Sequence, residues 1–207
     1  MVYSNLISRF FVSIFFLFIY LLLSLINFQY ILFFAFAIYF LIFYEVIINF
    51  IKLKLIISLY LIISLFFLYS IDFKQEFLVN FNLMILIIIS FDIFSFFVGK
   101  TLGKNKVFGE ISPNKTLEGL IGGICFSILI SIIYIYYFHL DFTYLIFIFV
   151  SLIIFSALLG DIIESYFKRK NNLKNSSSLL LGHGGFFDRF DSFILSIITY
   201  SIFYKII

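Results

Sequence analysis

Residues 77–99 read FLVNFNLMILIIISFDIFSFFVG, and this stretch decides the fold class. A helix needs about 20 apolar residues to cross a hydrocarbon core of about 30 Å, and this run is long enough. In lipid every backbone amide and carbonyl must be paired within the protein, which leaves only helices and closed barrels. No strict alternation of apolar and polar residues is present, so the stretch is read as a membrane-spanning helix. Its one charged residue is Asp92, eight residues before Lys100 and so about 12 Å along the helix axis from that end. A carboxylate at that depth is costly, and is either functional or the partner of a nearby lysine.

Six further apolar stretches flank it, at 6–27, 30–50, 54–71, 117–138, 142–166 and 191–206. The chain is therefore expected to be an all-α, polytopic transmembrane protein of about seven spans. Residues 1–76 form its N-terminal helices and residues 77–207 its catalytic membrane region, within a single integrated unit. Composition agrees: 64% of residues are hydrophobic, 12% are charged, and mean hydropathy is +1.20. A soluble domain carries roughly 25% charged residues. The first apolar run is too long for a signal peptide, lacks a small-residue cleavage site, and is followed by more spans. The lone Cys125 lies in an apolar run, which excludes an internal disulfide and a cysteine metal cluster and leaves helix packing.

Charge sets the expected orientation. Lys100, Lys104, Lys106 and Lys115 fall in one long connection, and Lys168, Arg169, Lys170, Lys174 and Arg189 in another. Two spans separate these connections, so both emerge on one side, together with Arg9, Lys52 and Lys54. Only Lys74 and Lys205 fall opposite, an asymmetry of 12 to 2 among the 14 basic residues. Lysine and arginine mark cytoplasmic loops, which places the N-terminus and both basic loops in the cytoplasm.

Against a background of 34 Phe and no Trp, Gly and Pro stand out. All ten glycines lie between Gly99 and Gly185, and the one proline is Pro113. Ser112-Pro113-Asn114-Lys115-Thr116-Leu117-Glu118-Gly119 reads as a helix start, with Ser112 as cap and Pro113 at the first helical position. Free amides there, with Lys115 and Thr116, would suit a phosphate. An ordinary capped helix with a glycine packing face at Gly119, Gly122 and Gly123 is the competing reading. Asp161, Glu164, Ser165 and Lys168 recur at i, i+3, i+4 and i+7 and share one helical face, so the sixth span turns polar at its cytoplasmic end. Gly182-His183-Gly184-Gly185-Phe186-Phe187-Asp188-Arg189-Phe190-Asp191 combines glycines that permit close backbone approach with Asp188 and Asp191 at i, i+3. Carboxylates together with substrate phosphates are what Mg²⁺ takes as ligands. Carboxylates, cations, a phosphate-binding turn and a glycine loop on one membrane face are the equipment of phosphoryl or nucleotidyl transfer.

These motifs resemble those of the phosphatidate cytidylyltransferase, or CDP-diacylglycerol synthase, family. The similarity runs through Ser165, Phe167, Lys168, Arg169, Lys174, Ser177, Leu180, His183, Gly184, Gly185, Phe186, Asp188, Arg189, Phe190 and Asp191. It extends to the Ser112–Gly123 block, to Gly160-Asp161-x-x-Glu164-Ser165, and to Asp92 and Gly99, covering about residues 90–192. Asn175 stands where the family usually has Asp, and Leu181 where it usually has Pro. The chain is short for that family, with N-terminal spans expected to be missing.

The resemblance implies transfer of CMP from CTP to phosphatidic acid, giving CDP-diacylglycerol and pyrophosphate. It implies that Asp161 and Asp188 hold Mg²⁺ in a site with room for a second metal ion, supported by Asp92 and Asp191. Lys168, Arg169, Lys174 and His183 would meet phosphate charge. Ser112, Lys115, Thr116, Glu118, Ser165, Gly184, Gly185 and Arg189 would contact substrate. A homodimer in a bacterial inner membrane, with its site facing the cytoplasm and no nucleic-acid partner, is expected. Three alternatives compete: a CTP-dependent polyprenol kinase, which would transfer phosphate and not CMP; an inactive family member, motivated by Asn175; and a transporter, which would spread charge through the membrane depth and repeat its halves.

Overall fold

The computed structural model describes residues 2–180 and 184–206. They form seven α-helices, α1 (Val2–Ile26), α2 (Gln29–Asn49), α3 (Lys54–Tyr69), α4 (Leu78–Leu102), α5 (Leu117–Tyr137), α6 (Tyr144–Lys170) and α7 (Phe187–Phe203). The expected all-α class holds. The spans at Gln29–Asn49, Gln75–Leu102, Leu117–Tyr137 and Tyr144–Lys170 are long and apolar enough to cross a membrane by length and composition. Outward-facing Phe33, Phe40, Ile51, Phe96, Ile133 and Tyr136 are all more than half exposed, the surface expected of a chain that sits in lipid.

The helix start expected at Ser112 is a correction. Lys106–Phe108 (β1) and Ser112–Thr116 (β2) form an antiparallel two-stranded hairpin, with Lys106 opposite Thr116 and Phe108 opposite Ser112. Gly109 supplies the left-handed residue of the turn, at φ +48°. The cap of α5 is Thr116, whose Oγ1 accepts from Gly119 N at 3.2 Å. Leu117 N donates to Asn105 O at 2.8 Å. Serine and proline satisfy cap statistics at Ser112, but the threonine four residues later satisfies them equally, and pairing with β1 decides between them.

The chain divides into two compact units. One comprises residues 1–78 and 167–190, the other residues 79–166 and 191–207. The segment from Phe167 to Phe190 belongs with the N-terminal helices in the first unit.

In the first unit, Ile31, Ala35, Ile38 and Ile42 recur at helical spacing on α2, and Ile57, Leu61, Ser64 and Leu68 do so on α3. These two buried stripes pack together, and Tyr39 OH hydrogen-bonds Ser64 Oγ between them. Between α2 and α3 the chain passes through Leu53 in the left-handed region, at φ 60°.

In the second unit, α6 buries Ile146, Phe149, Val150, Ile153, Ile154 and Ala157, while α7 buries Ile194, Ile197 and Tyr200, with Tyr204 buried just after it. Ser156 and Thr199 share a hydrogen bond of 2.7 Å, and Ser192 Oγ donates to Ala157 O at 3.2 Å. Such bonds hold helices together where burial of apolar surface cannot, because lipid is as apolar as the helix face. On α4 and α5, Phe94 and Phe126 stack at 4.3 Å, and a Cβ at Gly119 would sit 2.9 Å from Gly99 Cα, so these helices meet backbone to backbone.

Candidate active site

The inward stripe of α6 changes character along its length. The spacing that buries Ile146, Phe149, Ile153 and Ala157 continues to Gly160, Asp161 and Glu164. On α7 the stripe of Ile194, Ile197 and Tyr200 begins at Asp191. The two helices therefore bring carboxylates together where their apolar contact ends. Asp161, Glu164 and Asp191 each present a carboxylate oxygen, and these atoms lie within 4.8 Å of one another. Glu164 is fully buried, and the two aspartates are half-buried.

Gly160 makes this approach possible. A Cβ there would lie 3.1 Å from both the carbonyl carbon of Asp191 and Cα of Ser192. Gly160→Ala is expected to destabilise the protein by about 1–3 kcal/mol through overpacking. An exposed helical Gly→Ala change would instead stabilise it, by up to about 1 kcal/mol. Thermal unfolding in detergent reads the sign.

Other groups surround the cluster in the same unit. Lys115 Nζ pairs with Asp161 Oδ2 at 2.6 Å, with both side chains largely buried. Ser165 Oγ donates to Asp161 Oδ1 at 3.3 Å. Asp92 feels the charges of Asp161 and Lys115 and has the Ser192 hydroxyl as a hydrogen-bonding neighbour. The hairpin thus delivers Lys115 to the carboxylates directly from a strand. Glu118 braces the hairpin's entry, accepting from Lys104 N at 3.1 Å and from Asn105 Nδ2 at 2.9 Å. Thr116 caps α5, and Ser112 lies in β2 opposite Phe108.

The first unit holds a second polar cluster. Lys168 Nζ pairs with Asp188 Oδ1 at 2.6 Å, with both side chains about nine-tenths buried. Asp188 Oδ2 accepts from Ser176 N at 2.8 Å, Ser176 Oγ at 2.9 Å and Gly185 N at 2.8 Å. Asp188, expected as a metal ligand, is thus placed in an ion pair that also closes the loop before α7. Gly184 adopts φ +84°, a backbone setting that favours glycine. Arg169 Nη1 donates to Leu173 O at 2.9 Å. Lys174, Asn175 and Arg189 are exposed. His183 and Leu181 lie outside the described residues.

Sequence reasoning missed Glu45. It is the only acidic residue among the first 71, and it sits on the buried face of α2 with no exposure. A single carboxylate inside a long apolar helix was the available signal. Asn171 was missed as well. Its Oδ1 accepts from Ile51 N at 2.9 Å and Lys52 N at 2.7 Å, tying the α2–α3 turn to the end of α6.

A profile of the cytidylyltransferase family matches residues 2–207, which takes in both clusters. The chain belongs to the cytidylyltransferase family. It is similar to the phosphatidate cytidylyltransferase of Bacillus subtilis (strain 168), with 44% identity over 111 residues, which is 53% of this chain and 41% of that protein. The phosphatidate cytidylyltransferase of Staphylococcus haemolyticus (strain JCSC1435) is 43% identical over 102 residues, 48% of this chain and 39% of that protein. The chain spans about two-fifths of the length of the curated relatives it matches.

Proposed function

We propose that the protein transfers CMP from CTP to phosphatidic acid. The observation that carries this reading is the convergence of Asp161, Glu164 and Asp191 beside Lys115 in a chain of this family. The substrates themselves follow the names of the relatives, phosphatidate cytidylyltransferases. In the reaction a phosphate oxygen of phosphatidic acid attacks the α-phosphorus of CTP. A new P–O bond forms, the bond to the β-phosphate breaks, and pyrophosphate leaves.

The donor set fits Mg²⁺, since all its ligand atoms are hard oxygens and the cation takes one or two carboxylates plus substrate phosphates. Asp161, Glu164 and Asp191 would hold it, with Asp92 able to support a second ion. When bound, the metal supplies charge neutralisation for the triphosphate. Lys115 holds Asp161 in place and offers a cation to phosphate. Within its own unit Ser165 orients Asp161. By the resemblance alone, Lys168, Arg169, Lys174 and His183 would meet phosphate charge, and Gly184, Gly185 and Arg189 would contact substrate. Nothing in this chemistry needs a covalent nucleophile, because positioning and electrostatics supply most of the rate.

The same reading places the N-terminus and both basic loops in the cytoplasm, with seven spans in a bacterial inner membrane and the acyl chains entering sideways from lipid. A homodimer fits the outward apolar faces, and nucleic acid has no role. Purified protein in detergent with Mg²⁺ and phosphatidic acid should move label from [α-³²P]CTP, and none from [γ-³²P]CTP, into lipid. EDTA should abolish the transfer and excess Mg²⁺ restore it. Transfer of the γ-label to a polyprenol would establish a kinase instead, and no transfer by folded protein would favour an inactive family member.

A further inference from the structure

Glu45 stands apart from every group used so far. It lies on α2, far in sequence from the signature loop, yet its carboxylate accepts from four donors in that loop and at the start of α7. Oε1 takes Ser177 Oγ at 2.8 Å and Phe186 N at 2.7 Å. Oε2 takes Ser176 Oγ at 3.0 Å and Phe187 N at 3.0 Å. A fully buried carboxylate survives only when its oxygens are satisfied in this way. Its negative charge also lies at the amino end of α7, where the helix dipole favours it.

Two neighbours share the loop with it. Ser176 donates from one hydroxyl to both Glu45 and Asp188, and Asp188 in turn holds Lys168. At Gly185 an added Cβ would collide with Ser176 Oγ and with both oxygens of Glu45, so the loop backbone packs directly on the carboxylate. Asn171 makes a second tie from the same part of the chain, donating to Lys52 O at 3.0 Å as well as accepting from that turn. Phe50 and Phe187 rings, 6.0 Å apart, close the apolar side of this junction.

We propose that Glu45 is a positioning residue of the active site. It fixes Ser176, Ser177 and the first turn of α7, and through Ser176 it sets the Asp188–Lys168 pair. The proposal rests on the CMP-transfer reading above. It gives α2 a role in nucleotide binding that its apolar sequence does not announce: without Glu45, Ser177 and the amides of Phe186 and Phe187 lose the acceptor that fixes them, and Asp188 alone is left to hold Ser176 and Gly185.

The test is Glu45→Gln in the full chain, purified in detergent. Glutamine keeps the volume but turns one acceptor oxygen into a donor, so at least one buried amide of the loop loses its partner. Loss of a hydrogen bond to a charged group corresponds to about a tenfold effect or more. Hydrogen exchange of the amides of Phe186 and Phe187 should accelerate by about that factor, while amides in the middle of α5 keep their wild-type rates. The KM for CTP should rise by about tenfold, whereas simple loss of folded protein would lower apparent kcat at constant KM. Wild-type values in either readout overturn the proposal. Glu45→Asp, which keeps the charge with shorter reach, is measured in the same way and decides the matter should the glutamine variant not fold. If the wild type itself transfers no CMP, the reaction reading fails, and the exchange measurement alone decides whether Glu45 holds the loop.

Discussion

Replacing Asp161 by Ala lowers kcat for CMP transfer by about 10²–10³-fold, with little change in unfolding temperature. The size follows from the loss of a preorganised electrostatic contact at the reacting centre. Asp161 is the carboxylate on which the second unit converges: Lys115 pairs with it, Ser165 donates to it, and Glu164 and Asp191 share its surroundings. Its side chain keeps 29% of its surface exposed, more than either member of the Lys168–Asp188 pair, and truncation removes only a small carboxylate. Two measurements check the expectation, label transfer from [α-³²P]CTP per folded molecule and Mn²⁺ binding followed by electron paramagnetic resonance. A variant with wild-type turnover would remove the carboxylate cluster from the mechanism.

Asp188→Ala has the opposite signature and costs stability first. Lys168 is about nine-tenths buried and pairs with Asp188, and removing one member of a buried pair typically costs about 3–5 kcal/mol. Three further hydrogen bonds, from Ser176 N, Ser176 Oγ and Gly185 N, are lost with it. Thermal unfolding in detergent should therefore fall well below that of Asp161→Ala, and activity should fall with it. Asp188→Asn keeps the shape and one acceptor oxygen, and should recover part of the stability. If Asp188→Ala instead unfolds like the wild type while losing activity, Asp188 serves the metal more than the loop, as the resemblance alone implied.

The contrast between the two aspartates shows how much a motif can carry. Both lie in a family signature, and spacing treats them alike. Only the fold shows that Asp161 joins two other carboxylates while Asp188 is occupied by an ammonium and two backbone amides. The Ser112–Thr116 stretch makes the same point. Cap preferences fitted a helix start at Ser112, and only pairing with Lys106–Phe108 shows that the helix waits for Thr116. Local propensity is a weak vote, and pairing of Ser112 with Phe108 outweighs it.

The sequence by itself determined the helical class, because a chain this apolar must pair its backbone internally. It determined the polar end of α6 too, because Asp161, Glu164 and Ser165 fall on one face at the helical period whatever surrounds them. The tertiary structure alone decided which carboxylates meet, and that Glu45 reaches a loop some 130 residues later in the chain. Such contacts depend on which helix faces which, and helix pairing in lipid rests on small residues and single hydrogen bonds more than on any repeating pattern along the chain. A lone glutamate in an apolar helix announces only that it must have partners. The fold names them.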